Sequence, residues 1–156
     1  MRTGDTAPDV ELPDQTGAVR RLSQIAAGKR AVLFFYPAAM TSGCTKESCH
    51  FRDLAAEFER AGAVRVGISM DNVDKQAKFA DTNKLDYPLL SDPDGAVARA
   101  FGVKRPLGVL KVKRTTFVLD EHLRVLEVVS SEFNMDAHAD HALEALAAAP
   151  REDASS

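Results

Sequence analysis

The chain has 156 residues, 45% of them hydrophobic and 28% charged, with a formal net charge of −3 at neutral pH. That length suits one domain whose core needs no staples, and scattered basic residues argue against a nucleic-acid partner. No apolar run reaches membrane-spanning length, and the start MRTGDTAPDV carries charge and proline where a signal peptide would be apolar.

Residues 8–22, PDVELPDQTGAVRRL, alternate loosely around Gln15-Thr16-Gly17 and predict an N-terminal β-hairpin. Ala31–Tyr36, AVLFFY, is a continuous apolar run closed by Pro37, the pattern of a central buried strand. From about Gly43 to Gly62 the spacing turns helical, with Phe51, Leu54, Ala55, Phe58 and Ala61 on one face. Ala63–Met70 predicts the next strand and Val73–Lys84 an amphipathic helix. Tyr87–Leu90 is short and apolar before the turn signal Asp92-Pro93-Asp94-Gly95, and Ala96–Phe101 is a short helix that Gly102 can end. Arg114–Asp120 and Val125–Ser131 pair as a hairpin, and residues 136–149 form an Ala-rich closing helix. The sum is an α/β fold around one mixed sheet, a single domain over residues 1–150, with 151–156 as a frayed tail.

The only two cysteines, Cys44 and Cys49, sit within one short segment. With no leader or membrane span in view, the expected address is the cytoplasm, where a structural disulfide is improbable. Two thiols are also too few for a complete zinc site unless histidines such as His50 join them. Cys44 falls in the first turn of the helix after the Ala31–Tyr36 strand, where free N–H groups and the macrodipole favour thiolate over thiol. A thiolate is the reactive form, so the position suits a nucleophile. Phe51, two turns on, places Cys44 on the inward stripe. Cys49 is rotated by ~140° onto the polar side with Thr45, Arg52 and Arg60. In an intact helix the two Cα atoms are ~8.6 Å apart, beyond the roughly 7 Å a disulfide can span. The pair therefore bridges only if the helix start unwinds. Spacing alone leaves redox chemistry, metal binding and two small buried hydrophobes all open, while a thioredoxin-type reductase would want Cys-x-x-Cys.

Pro37 ends the strand, lacks a donor and can wall the sulfur from water, while the Thr41 hydroxyl can donate to a peroxide oxygen or cap the helix. Pro37-x-x-x-Thr41-x-x-Cys44 resembles the peroxidatic motif of peroxiredoxins. The longer string FYPAAMTSGCTKESCHFRD is similar to the bacterioferritin comigratory protein or peroxiredoxin Q subfamily, as are GDTAPDVELPDQTG, YPLLSDPDGAVARAFGV and VKRTTFVLD.

The resemblance implies a thioredoxin-like fold and a thiol peroxidase acting on hydrogen peroxide and organic hydroperoxides. It makes Cys44 the peroxidatic thiol, Cys49 the resolving thiol, and Pro37 and Thr41 active-site residues. Arg114 becomes the arginine facing the sulfur, a placement that would stabilise thiolate and polarise the O–O bond. A thioredoxin-like protein would recycle an intramolecular disulfide in a monomer or dimer, with no metal or organic cofactor. The rivals are a thioredoxin-fold disulfide oxidoreductase and a thioredoxin-fold binding module with inert cysteines. Ser42 stands where most members carry proline, and Ser48 where alanine is usual. Glu47 either complements the helix macrodipole in the first turn or orients Arg114. His138 and His141, with Asp136 and Asp140, are expected on a solvated helix face.

Overall fold

The computed structural model describes residues 1–106 and 111–149, and the tail expected at 151–156 lies outside the described residues. The predicted hairpin forms: β1 (Glu11–Pro13) runs antiparallel to β2 (Val19–Arg21), with Gly17 at φ 86° in the turn, a left-handed conformation that suits glycine. Asp14 closes that turn, accepting from Thr16 N at 2.8 Å, the Thr16 hydroxyl at 2.6 Å and Arg20 at 3.0 Å. A short helix α1 (Leu22–Ala26) follows, which the sequence pattern does not reveal because it is too short to show a helical period. Next come β3 (Arg30–Phe35), α2 (Ser42–Asp53), α3 (Ala55–Arg60), β4 (Ala63–Ser69) and α4 (Val73–Asn83). The chain continues through β5 (Leu89–Ser91), α5 (Ala96–Ala100), β6 (Thr115–Leu119), β7 (Val125–Ser130) and α6 (Met135–Ala148).

The main sheet has the order β5-β4-β3-β6-β7. Its centre, β3, runs parallel to β4 and antiparallel to β6, so the sheet is mixed as expected. Every residue of β3 is buried, because helices cover both faces. The strand's period of two then divides the core. Ala31, Leu33 and Phe35 pack on one side with α1, α5, Ile68 and Phe117. Val32, Phe34 and Tyr36 pack on the other with Cys44, Phe51, Phe58, Phe79 and α6. On this second side Phe34 and Phe51 stack at 4.2 Å with their planes 7° apart, which fixes α2 on the sheet.

Two expectations need correction. The helix predicted from Gly43 to Gly62 is two helices, broken at Leu54, whose backbone leaves the helical basin at φ −96°, ψ 21°. The Leu54 N–H is shared between the carbonyls of His50 and Arg52, and Arg65 Nη1 donates to the Phe51 carbonyl at 2.9 Å. Both helices keep their aromatic on the sheet, so the apolar spacing runs through the break and hides it.

The second correction is His138, which is fully buried where a solvated face was expected. It lies four and eight residues before Ala142 and Leu146, on the stripe that α6 turns to the sheet. His141 and Asp140 are exposed, as expected.

Arg30, at the start of β3, is buried beneath the far ends of two helices. Its Nη1 donates to Leu146 O at 3.0 Å and Ala149 O at 2.6 Å, and its Nη2 to Ala61 O at 2.6 Å. One cation thus meets the C-terminal carbonyls of both α3 and α6, where the macrodipoles favour positive charge.

Candidate active site

The strand β3 ends against Pro37, which is buried, and the loop to α2 turns sharply at Met40, with φ 69°. That loop is tied to the turn after β4. Ala39 N donates to Asp71 Oδ2 at 2.7 Å, and the same oxygen accepts from the Ser69 hydroxyl at 2.7 Å. Thr41 occupies the N-cap position of α2, yet its hydroxyl makes no cap bond and donates to Ala38 O at 2.7 Å. The first-turn N–H groups of α2 therefore keep no side-chain acceptor at the cap.

Cys44 is the third residue of α2 and is fully buried on the inward stripe, as the spacing predicts. Arg114, just ahead of β6, points its Nη2 at Cys44 Sγ from 3.3 Å. The approach is close enough that a Cβ on Gly43 would stand 3.3 Å from Nη2, which is why glycine suits position 43. A cation and a helix N-terminus converge on one sulfur.

Glu47 is one turn further into α2 than the first-turn placement required, and it too is fully buried. Its Oε1 accepts from Arg114 Nη1 at 2.7 Å, so it orients the arginine. Burial raises its pKa from 4.5 to about 8 in spite of the opposing pull of Arg114. Burial alone would lower Arg114, but Glu47 and then Cys44 carry it above its ordinary value. Behind the pair, Arg114 N donates to Glu132 Oε1 at 3.1 Å, and Arg105 Nη2 reaches the same oxygen at 2.9 Å. His138 Nδ1 lies 2.8 Å from the Thr116 hydroxyl and 3.5 Å from Glu47 Oε2, and its Nε2 is 2.8 Å from Ser131 O. Burial lowers the pKa of His138 below its ordinary 6.5.

Cys49 has different company. Half-buried on the opposite flank of α2, its Sγ lies 3.8 Å from Asn83 Oδ1. Both cysteines are free thiols. The surrounding turn of α2 is fastened to three neighbours. Tyr87 OH donates to Ser48 O at 2.7 Å, Arg52 Nη1 to Asn83 O at 2.7 Å, and His50 Nε2 meets Asp140 Oδ1 at 2.8 Å.

The structure brings Cys44 and Arg114 together, places Pro37 and Thr41 in the loop ahead of them, and sets Cys49 apart on the same helix. Sequence reasoning placed His138 on a solvated face and did not single out Thr116 or Glu132. For His138 a signal existed, since its spacing to Ala142 and Leu146 marks the inner stripe. Glu132 reaches the site from a loop and leaves no such period.

The model of the AhpC/TSA family matches residues 3–128. A peroxidoxin from Mycobacterium tuberculosis, known from its crystal structure, is 63% identical and superposes with a TM-score of 0.92, covering 96% of this chain and 99% of that one. The bacterioferritin comigratory protein of Xanthomonas campestris, described in connection with alkyl peroxide reduction, is 33% identical with a TM-score of 0.82 over 92% of this chain and 98% of its own. The chloroplastic peroxiredoxin Q of Sedum lineare is 41% identical over 143 residues, which are 92% of this chain and 76% of that protein. The mixed sheet with its flanking helices is thus the thioredoxin-like fold that the resemblance implied, and a buried thiol facing an arginine has its setting: the chain belongs to the AhpC/TSA family and is a peroxiredoxin, a thiol-dependent peroxidase.

Proposed function

We propose that Cys44 is the peroxidatic thiol and Cys49 the resolving thiol of an atypical two-cysteine peroxiredoxin. The observation that carries the first assignment is Arg114 Nη2 at 3.3 Å from Cys44 Sγ, in the first turn of α2. The Cys44 thiolate attacks the terminal oxygen of the peroxide, the O–O bond breaks, and water or an alcohol leaves with the second oxygen. Arg114 offers hydrogens to the charge developing on the peroxide oxygens. Pro37 and the aromatic core restrict water around the sulfur, and the Thr41 hydroxyl turns from Ala38 O to the bound peroxide.

Cys44 is then a sulfenic acid, and the Cys49 sulfur attacks it, releasing water and forming an intramolecular disulfide. With α2 intact the two Cα atoms stand ~8.6 Å apart, against a limit of roughly 7 Å, so the helix unwinds to close the bond. Oxidation removes the anion that the helix N-terminus favoured, which lowers the cost of that unwinding. A cytoplasmic dithiol protein of the thioredoxin type reduces the disulfide by exchange. Organic hydroperoxides are substrates beside hydrogen peroxide, a reading supported by the named alkyl peroxide activity of the Xanthomonas relative.

Stopped-flow oxidation of the parent and Cys44→Ser with hydrogen peroxide and an alkyl hydroperoxide tests the assignment, with a thioredoxin and a glutaredoxin supplied in turn. Fast oxidation of the parent, none of Cys44→Ser, and turnover with thioredoxin are expected. Peroxide consumption by Cys44→Ser at the parent rate would overturn the reading.

A further inference from the structure

The side chain that Arg114 turns toward Cys44 is held only at its tip. Nη1 donates to Glu47 and Nη2 meets Cys44 Sγ at 3.3 Å, while Nε is buried with no hydrogen-bond partner among the described residues. Several rotatable bonds separate that tip from the backbone, so its aim depends on where the side chain is rooted. The root lies just outside the sheet. β6 enters register with β3 and with β7 at Thr115, which leaves Arg114 one residue short of both pairings. The residues before it belong to a different pairing: Lys113 N donates to Val103 O at 2.8 Å, Val112 bridges Lys104, and Arg105 N donates to Lys111 O at 2.9 Å. Arg114 is thus the joint between these paired segments and the sheet.

Glu132 closes that joint. From the loop between β7 and α6, its Oε1 accepts the Arg114 backbone N–H at 3.1 Å and Arg105 Nη2 at 2.9 Å. One oxygen grips the joint on both sides, the paired segments through Arg105 and the root of Arg114 through its own amide. The Arg105 and Glu132 side chains are 34% and 28% exposed, so their charge attraction adds little stability. What the contact supplies is a fixed acceptor.

We propose that Glu132 is a positioning residue for the peroxide reaction: by anchoring the Arg114 amide and the Arg105 side chain on one oxygen, it sets where the Arg114 guanidinium meets Cys44. The inference rests on Cys44 being the peroxidatic thiol and on Arg114 serving it. Among the described residues Glu132 makes no hydrogen bond to Cys44, so its effect on the reaction passes through Arg114. Released from Glu132, the backbone at Arg114 hinges where the ladder ends, and Nη2 drifts from the sulfur while Glu47 still holds Nη1. Glutamine at 132 keeps an oxygen for both donors without the charge. Alanine keeps neither.

The test uses the full reduced chain and hydrogen peroxide. First oxidation is followed in stopped flow for the parent, Glu132→Ala, Glu132→Gln, Arg114→Ala and the double variant of Glu132→Ala with Arg114→Ala. Glu132→Ala should react about tenfold more slowly, within the ~100-fold that a misplacement of ~1 Å can cost. Glu132→Gln should stay within about threefold of the parent, because a neutral acceptor loses only part of the bond strength. In the Arg114→Ala background, Glu132→Ala should slow the reaction no further, the non-additivity of two residues that act as a unit. A merely structural role would slow both backgrounds by the same factor. Hydrogen exchange of the Arg114 amide, faster in Glu132→Ala than in the parent, is an arm that needs no peroxide. Should Glu132→Ala not fold, Glu132→Asp takes its place, since it keeps the charge but draws the acceptor back and should also slow oxidation. A parent-like rate in Glu132→Ala or in its aspartate substitute, equal slowing in both backgrounds, Glu132→Gln as slow as Glu132→Ala, or unchanged exchange at Arg114 would each overturn the proposal. A parent that does not react with peroxide would sink the reading of Cys44 and this inference with it, whereas a reactive parent beside an unaffected Glu132→Ala sinks the inference alone.

Discussion

Two thiols on one helix stand in opposite surroundings. Cys44 is buried in the first turn of α2, 3.3 Å from a guanidinium nitrogen and behind a wall of core aromatics. Cys49 is half-buried, and its neighbour is the neutral side-chain amide of Asn83. The contrast teaches that a helix assigns chemistry by position. The free N–H groups serve only the first turn, and a rotation of ~140° per five residues carries the second sulfur away from every cation that the first one enjoys.

Removing the cation is the most severe way to break the contrast. Arg114→Ala should slow oxidation of Cys44 by about a hundredfold, the scale seen when one donor to a developing oxyanion is deleted. An unchanged rate in stopped flow would show that the 3.3 Å contact is structural only.

Cys49→Ser sharpens the contrast from the other side. Its first oxidation should match the parent, while thioredoxin-dependent turnover disappears and mass spectrometry shows more sulfinic acid at Cys44. In the parent, amides of residues 44–52 should exchange faster after oxidation than before, and equal protection in both states would sink the proposed unwinding.

Stability against pH reports on the buried side of α2. The Glu47 carboxyl is raised from 4.5 to about 8, so its contribution is full below 4.5 and is lost as pH rises through about 8. His138 is lowered from 6.5, so its contribution is present above 6.5 and is lost as pH falls through the depressed value. Melting temperatures of the parent should decline on the alkaline side, and Glu47→Gln should flatten that decline. An identical alkaline slope in both proteins would refute the assignment.

The smallest effect is expected at the fastening of the Cys49 turn. Tyr87→Phe deletes the donor to Ser48 O and should cost roughly 1 kcal/mol. Because that bond holds α2 closed, disulfide formation after a peroxide pulse should quicken by a few-fold, with the first oxidation untouched. Slower closure would mean that Tyr87 guides the opened chain instead of restraining the closed one.

The sheet and its order of elements were legible because strand and helix periods are local properties. AVLFFY can be read as a covered strand without knowing what covers it. The two thiols were legible for the same reason, since both ride on one helix and its geometry is fixed by spacing. Arg114 was legible only through resemblance, because its meeting with Cys44 joins residues seventy apart in the chain. His138 was misread because a polar residue was weighed by its type. Its position on the inner stripe, where Thr116 and Ser131 satisfy both ring nitrogens, decided the matter. Glu47 was half legible: a carboxylate near an arginine was foreseen, its complete burial was not.

The break at Leu54 sets the length over which α2 can melt. Helix–coil transitions spread along an unbroken hydrogen-bond ladder, and α2 holds 12 residues, at the margin of the ~12–15 that an isolated helix needs in water. Were α2 and α3 continuous, opening the first turn would strain a ladder anchored at its far end by Arg30 on Ala61 O. The interruption works as a domain wall. In the proposed cycle it would confine disorder to the segment carrying both sulfurs and leave Phe58 seated on the sheet, so that the core beneath Cys44 outlasts each opening.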